Sequence, residues 1–255
     1  MIITDDQVLS WKQAKPFSHI VIDNFLPIDV AEQVDKDFPS LDNNFWYVYN
    51  NKIEVKKTCS SWDLMPASIY NVISYLLTEK ISKQLEKLTG SILFPDYGLH
   101  GGGMHCHGPG GKLNTHLDYS IHPKTGTQRK LNLILYVSKN WNPEWGGSLG
   151  LWSHNEETNQ PKELITSIDS IFNRAVIFDT TQNSWHGLPE EIKCPEGMSR
   201  KSLAVYYTTY PTEDVNKRYK ALYAPTEKQK DDPSVIELIK KRSNINTFKD
   251  VYVEK

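Results

Sequence analysis

The 255 residues carry 38% apolar and 24% charged side chains and a formal net charge of −2. This is the balance of a globular chain able to bury a core, and it offers no strong basic field for nucleic acid or an anionic membrane. Three cysteines, Cys59, Cys106 and Cys194, with no pair spaced C-x-x-C, argue against a disulfide framework and a Cys-based zinc or redox site, and point to a reducing, cytoplasmic setting.

The opening Met1-Ile2-Ile3-Thr4-Asp5-Asp6 is acidic and lacks the apolar run of a secretory signal, and no window is long and apolar enough to span a bilayer. Residues 16–26 hold a β-branched run that predicts a strand. Pro27 suits the first turn of a helix whose apolar face is Val30, Ala31, Val34 and Phe38. The aromatic and Lys-rich stretch 45–65 matches no template. One helical tract is expected over about 67–88, with stripes Ile69, Val72, Ile73, Leu76 and Ile81, Leu85, Leu88, and Gly90 as its C-terminal cap. From Ile92 onward short apolar runs alternate with Gly, Pro, Asn and Asp. Strands are expected near 97–106, 112–118, 129–138, 147–152, 163–168, 174–179, 184–188 and 202–209, the pattern of a sandwich or jelly roll. After Pro211 the chain is Lys- and Glu-rich. Asp232-Pro233 opens one short helix with Val235, Leu238 and Ile239 on a face, in a tail expected to be peripheral. The expected organisation is therefore a single domain, 1–255. Residues 1–91 form an N-terminal strand and helices, 92–210 a β core, and 211–255 the tail.

Within the core, His116 and Asp118 are two apart, so in a strand they share a face. His186 follows much later in Asn183-Ser184-Trp185-His186-Gly187, and Arg200 opens the run to Tyr207. Two His and one carboxylate with open positions make the facial triad of non-haem iron(II) oxygenases. A ligand pair on one strand and a third on a distant strand would brace a metal across the barrel. An Arg can bind an acidic co-substrate bidentately. Ser202 shares the face of Arg200, and Tyr136 could offer its hydroxyl to the same carboxylate.

The segments His116-Leu117-Asp118, Arg129 to Tyr136, Trp145-Gly146-Gly147-Ser148-Leu149, Trp185-His186-Gly187 and Arg200 to Tyr207 come in one order over about residues 97–210. In this the chain resembles Fe(II)/2-oxoglutarate-dependent dioxygenases of the prolyl-hydroxylase-like group. The opening Ile20 to Pro27 is similar to the entry of such domains. The resemblance implies a mainly β fold with flanking helices, a double-stranded β-helix. It implies iron held by His116, Asp118 and His186. It further implies 2-oxoglutarate held by Arg200, with Tyr136 and Ser202 assisting and Leu149 and Leu188 lining the pocket. Lys201 would point to the other face. The implied reaction consumes O2, releases succinate and CO2, and hydroxylates an unactivated C–H bond.

A prolyl or other protein residue leads as substrate. The alternatives are a free amino acid, sugar or other metabolite, a jelly-roll binding module without turnover, and a cupin-like zinc or manganese enzyme. His105 and His107 could form a second metal site but read better as strand residues beside the pocket, with His105 facing substrate. His122 lies in a loop, 119–128, that could close over the site. His19 and His154 have no supporting context, and the seven Trp read as packing.

Overall fold

The computed structural model describes residues 2–181 and 183–252. The chain begins with a helix the pattern reading did not assign, α1 (Asp5–Gln13). Its signal is a capping box, Thr4-x-x-Gln7: Thr4 Oγ1 accepts from the Gln7 amide and Gln7 Oε1 accepts from the Thr4 amide. β1 (His19–Ile22) and α2 (Ile28–Asp37) follow, with Pro27 at the cap of α2. The unassigned stretch becomes a hairpin, β2 (Tyr47–Asn50) with β3 (Glu54–Cys59). The single tract expected over 67–88 is two helices, α3 (Ala67–Leu76) and α4 (Glu79–Thr89). Thr78 turns extended between them, so the two apolar stripes belong to separate cylinders. Gly90, left-handed at φ 67°, ends α4 as expected.

The strands then run as β4 (Phe94–Pro95), β5 (Gly103–His107), β6 (Lys112–Leu113), β7 (His116–Leu117), β8 (Gln128–Tyr136), β9 (Leu149–Asn155), β10 (Gln160–Ile168), β11 (Arg174–Asp179), β12 (His186–Gly187), β13 (Arg200–Thr209) and β14 (Leu222–Tyr223). The expected strand 97–106 shortens because residues 97–101 form turns. The expected strand 112–118 breaks into β6 and β7, and Asp118 lies just past its end. The tail carries α5 (Pro233–Ser243), capped by Asp232 with Pro233 at its first position, and a 3-10 turn, Phe248–Val251.

Two sheets face each other. The larger runs β1-β11-β8-β13-β5-β3-β2, with β4 on β13 and β6 on β3; the smaller runs β10-β9-β12-β7-β14. Alternation on the strands of the larger sheet sorts its two faces. Leu131, Leu133 and Leu135 of β8, Leu203, Val205 and Tyr207 of β13, and Met104 and Cys106 of β5 join one apolar cluster with Ile69, Val72, Ile73, Leu76, Ile81 and Leu85 of the helices. Burying one such side chain stabilises by about 1.5–3 kcal/mol, so helices and sheet hold each other. The opposite face, including His105, His107, Asn132, Ile134, Arg200 and Ser202, looks between the sheets into a cavity of about 560 Å³. This is a double-stranded β-helix with helices against one wall.

The N-terminal segment is fastened by Asn173. Its amide side chain accepts from the Leu26 amide and donates to the Leu26 carbonyl, at 2.9 and 2.8 Å, with the residue 1% exposed and φ at 61°. Asn173→Ala strands both Leu26 groups, at about 1–3 kcal/mol each, and sets a Cβ without a local polar partner in the left-handed region, at about 1–2 kcal/mol. Asn173→Gly loses the bonds but not the backbone fit. Denaturant unfolding should rank wild type above Gly and Gly above Ala; an Ala variant as stable as the Gly variant would refute the backbone part.

Candidate active site

β7 and β12 are two residues each, but their pairing sets the site. His116 and His186 are direct partners across the ladder, with ring centroids 4.3 Å apart. The strand expected to be distant is therefore the immediate neighbour, and the two imidazoles sit side by side. Each is oriented alike: His116 Nδ1 is 3.0 Å from the Asn114 carbonyl and His186 Nδ1 is 2.9 Å from the Ser184 carbonyl. A carbonyl takes only a donor, so Nδ1 carries the proton and Nε2 keeps a lone pair. Both Nε2 atoms turn to Asp118, at 3.8 Å from Oδ1 and 3.7 Å from Oδ2. One donor atom of each residue lies within 4.8 Å of the others. Tyr223 stacks on His116 at 5.0 Å, and Phe178 meets His186 edge-on at 4.8 Å.

Charge in this group is tightly controlled. Burial, aided by the neighbouring His186, pushes the His116 imidazole down to about 3, and burial lowers His186 as well. Burial alone would raise Asp118, but the Arg129 guanidinium and the two imidazoles overcome it and hold the carboxyl at about 2. At neutral pH the group is two neutral imidazoles and a carboxylate, the protonation a divalent metal requires. Arg129 Nη2 lies 3.1 Å from Asp118 Oδ2, and the guanidinium lies over the Tyr206 ring at 3.3 Å. Arg129 is 2% exposed, and pattern reading missed its role. By parity with Leu131 it would face the helices. The register with β13 steps two residues on β8 for one on β13 at this point, and that bulge turns it inward.

Arg200 and Ser202 line the same cavity, as do Leu149 and Leu188. Arg200 is 4% exposed, its Nε donates to the Gly147 carbonyl at 2.6 Å, and among the described residues no carboxylate lies within ion-pair distance of it. Gly147 is required here: at φ 81° a Cβ would come within 2.7 Å of Arg200 Cδ. Tyr136 is fully buried beneath the guanidinium, 4.7 Å from it, and its hydroxyl has no hydrogen-bond partner. A buried cation beside an unsatisfied hydroxyl is costly unless an anion completes it. Lys201 points away and pairs with Asp35 at 2.9 Å. Seven of the eight residues singled out from the sequence thus line one space, and Tyr136 lies behind Arg200.

His105 and His107 line the cavity but join no three-residue metal-donor cluster among the described residues. His107 leaves both ring nitrogens unsatisfied. The loop expected to close over the site is instead a pinned hairpin. His122 is buried and its Nδ1 accepts from the Lys124 and Thr125 amides. His154, given no role above, accepts from Trp185 Nε1 at 3.0 Å, next to a metal-type ligand. The tail is not peripheral: Arg242, Phe248 and Tyr252 line the cavity, and Val235 is fully buried against Ile53 and Tyr223.

Removing Arg129 strands a buried carboxylate. Arg129→Met should destabilise the metal-free protein by about 3–5 kcal/mol, and added iron(II) should restore part of this, because the metal takes over the charge. A variant as stable as wild type without metal would sever Arg129 from Asp118. Acid provides a second measurement. The folded protein resists protonation at His105, His107, His116 and His186, all with lowered pKa values. The unfolded chain takes those protons at about 6.5. Stability of the metal-free protein is therefore fully present above that pH and declines as pH falls from about 6.5 toward 3. Urea midpoints that rise between pH 7 and 5 would contradict the buried neutral state.

Comparison with known proteins agrees with this geometry. Residues 102–208 match the 2OG-Fe(II) oxygenase superfamily. The chain is 27% identical over 193 residues to prolyl 3-hydroxylase OGFOD1 of Mus musculus, covering 75% of this chain and 33% of that protein, so it spans about a third of that relative's length. The fold is similar to a Pseudomonas putida prolyl-4-hydroxylase, with TM-score 0.54, 15% identity, and 80% of this chain and 100% of that one covered. It is also similar to HygX of Streptomyces hygroscopicus, solved with nickel and 2-oxoglutarate, with TM-score 0.56, 11% identity, and 81% and 87% covered. The three-donor group fits a divalent metal, and the buried Arg200 and Tyr136 fit an acidic co-substrate. The matched segment, residues 102–208, carries the three-donor group and much of the lining of its cavity, so over that segment the chain is similar to the 2OG-Fe(II) oxygenase superfamily.

Proposed function

We propose that this chain is an Fe(II)/2-oxoglutarate-dependent dioxygenase that hydroxylates an unactivated C–H bond, with a prolyl or other protein residue as the leading substrate. The observation that carries the reading is one cavity lined by both the His116, Asp118, His186 group and the unpaired, buried Arg200. His116, Asp118 and His186 would hold the iron by one face. Arg200 would pair with the distal carboxylate of 2-oxoglutarate, with the Tyr136 hydroxyl donating to it and Ser202 alongside. Leu149 and Leu188 would exclude water from the co-substrate stem. Bound iron and 2-oxoglutarate supply the oxidising chemistry, coupling O2 and decarboxylation to C–H oxidation. The chain's own task is to keep both imidazoles neutral, hold Asp118 ionised through Arg129, and orient co-substrate and substrate in a dry pocket.

The similarity to a prolyl 3-hydroxylase favours a protein substrate. A free amino acid, sugar or other metabolite is the second reading, supported by a cavity of about 560 Å³, a size that suits small ligands. A binding module without turnover fits less well, since it would have no use for a complete donor set beside an unpaired Arg. We read residues 1–255 as one folding unit, because the N-terminal helices and the tail both complete its core. Among the described residues no helix is long and apolar enough to cross a membrane, and three free, buried cysteines favour a reducing, cytoplasmic setting.

The test uses purified protein with iron(II). Added anaerobically, 2-oxoglutarate should produce a visible charge-transfer band, and in air succinate should form. Stranding a buried carboxylate costs about 3–5 kcal/mol, and each 1.4 kcal/mol is about tenfold. Arg200→Ala should therefore weaken 2-oxoglutarate at least about a hundredfold while iron content holds. Lys201→Ala, outside the cavity, should leave 2-oxoglutarate affinity near wild type. Iron-loaded protein that shows neither band nor succinate would defeat the assignment.

A further inference from the structure

Charge is unevenly distributed over this molecule. The whole chain carries −2, yet the cavity is lined by Lys56, Arg129, Arg200, Lys220 and Arg242 against Asp118 alone. All but one of these cations can be given an anionic partner. Arg129 serves Asp118, and in the reading above Arg200 serves 2-oxoglutarate. Glu54, fully buried behind the wall, accepts from Arg242 Nε at 3.0 Å and lies 3.3 Å from Lys56 Nζ, so one carboxylate is shared by two cations. Lys220 has no carboxylate within ion-pair distance among the described residues; its ammonium lies 3.4 Å from the centre of the Phe248 ring. Burial and the nearby Arg242 and Lys249 lower its pKa, the mark of a cation placed among like charges. Outside the iron and co-substrate groups, three cations thus face one carboxylate. Around them Tyr47, Tyr49 and Tyr252 meet edge-to-face at 4.9, 5.7 and 5.2 Å, with Tyr47 50% exposed and Lys56 over the Tyr49 ring.

We propose that this part of the cavity is an anion-reading substrate subsite: Lys220 pairs with an Asp or Glu side chain flanking the residue to be oxidised, and the tyrosine wall packs on the extended peptide that carries it. The inference rests on the oxygenase reading for what happens next but not for binding. Three arguments favour an acidic peptide. An unmatched cation gains most from a partner that arrives with the substrate. Arg242 and Lys56 raise the local potential without satisfying Lys220. Aromatic walls also suit extended, proline-containing chains, which bind with little ordering cost. The determinants come from three distant segments, the β2–β3 hairpin, residues 219–223 and the tail, so no local motif announces them.

Binding can be measured without turnover, by calorimetry on protein loaded anaerobically with iron(II) and 2-oxoglutarate. Three short proline peptides would differ only in the residues flanking proline: Glu, Gln or Lys. The Glu peptide should bind at least about tenfold tighter than the Gln peptide, equivalent to about 1.4 kcal/mol, and the Lys peptide should be weakest. Added salt should shrink the preference. Lys220→Gln should erase it and Lys220→Arg should keep it, with the 2-oxoglutarate band unchanged in both as the check on folding. Equal affinities for Glu and Gln peptides, or a preference that survives Lys220→Gln, overturn the subsite. Absence of peptide binding, with N-acetylglutamate binding through Lys220 instead, overturns the peptide as occupant. A Lys220-dependent preference without succinate from any substrate tried leaves the subsite standing and removes the hydroxylase reading; succinate without a preference does the reverse.

Discussion

A single buried negative charge organises the interior. Asp118 lies beyond the end of its strand, almost removed from water, and an isolated carboxylate there would take up a proton rather than stay charged. Arg129 at 3.1 Å prevents this, while the Nε2 lone pairs of His116 and His186 turn to the same carboxylate, an arrangement of acceptors that a bound cation would relieve. Much else follows from keeping that arrangement. The bulge in β8 exists where Arg129 must turn inward, the Tyr206 and Tyr119 rings cover its guanidinium, and two backbone carbonyls fix the imidazole tautomers. The result is a donor group neutral enough to survive burial and ready to accept a divalent ion.

A second buried carboxylate performs the corresponding task for the outer wall. Glu54 is held near 2 against its burial by Lys56 and Arg242, and it accepts from the Tyr223 and Tyr252 hydroxyls at 2.8 and 2.9 Å. Arg242 and Tyr252 belong to the tail, and Tyr223 stacks on His116. One ionised side chain thus connects the C-terminal segment to an imidazole of the donor group. A polar network in this position contributes geometry more than net stability, since burying its charges costs nearly what their attraction returns.

The β core and its motifs were legible because they depend on short-range periodicity. The H-x-D spacing, the strand 174–179, the Arg200 face and the opposite face of Lys201 all follow from a period of two, which survives whatever the tertiary context. The failures are equally physical. The tract 67–88 reads as one helix because apolar spacing alone does not register the phase change at Thr78. The hairpin at 45–65 alternates aromatics with Lys because one of its faces serves a cavity, so it has no apolar stripe to detect. The tail looked peripheral because its buried contacts are a few side chains from a polar segment.

The sequence by itself determined the class of fold, the three candidate donor residues, the Arg that follows them and the order in which they occur, because residue type and strand alternation are local properties. Only the tertiary structure decided that His116 and His186 are direct neighbours, that Arg129 and not a solvent cation balances Asp118, and that the tail and the β2–β3 hairpin build the mouth of the site. Those facts rest on pairing between strands about 70 residues apart, on a bulge one residue long and on charges matched across distant segments. Such energies arise when the chain closes on itself, and no window along the sequence contains both partners.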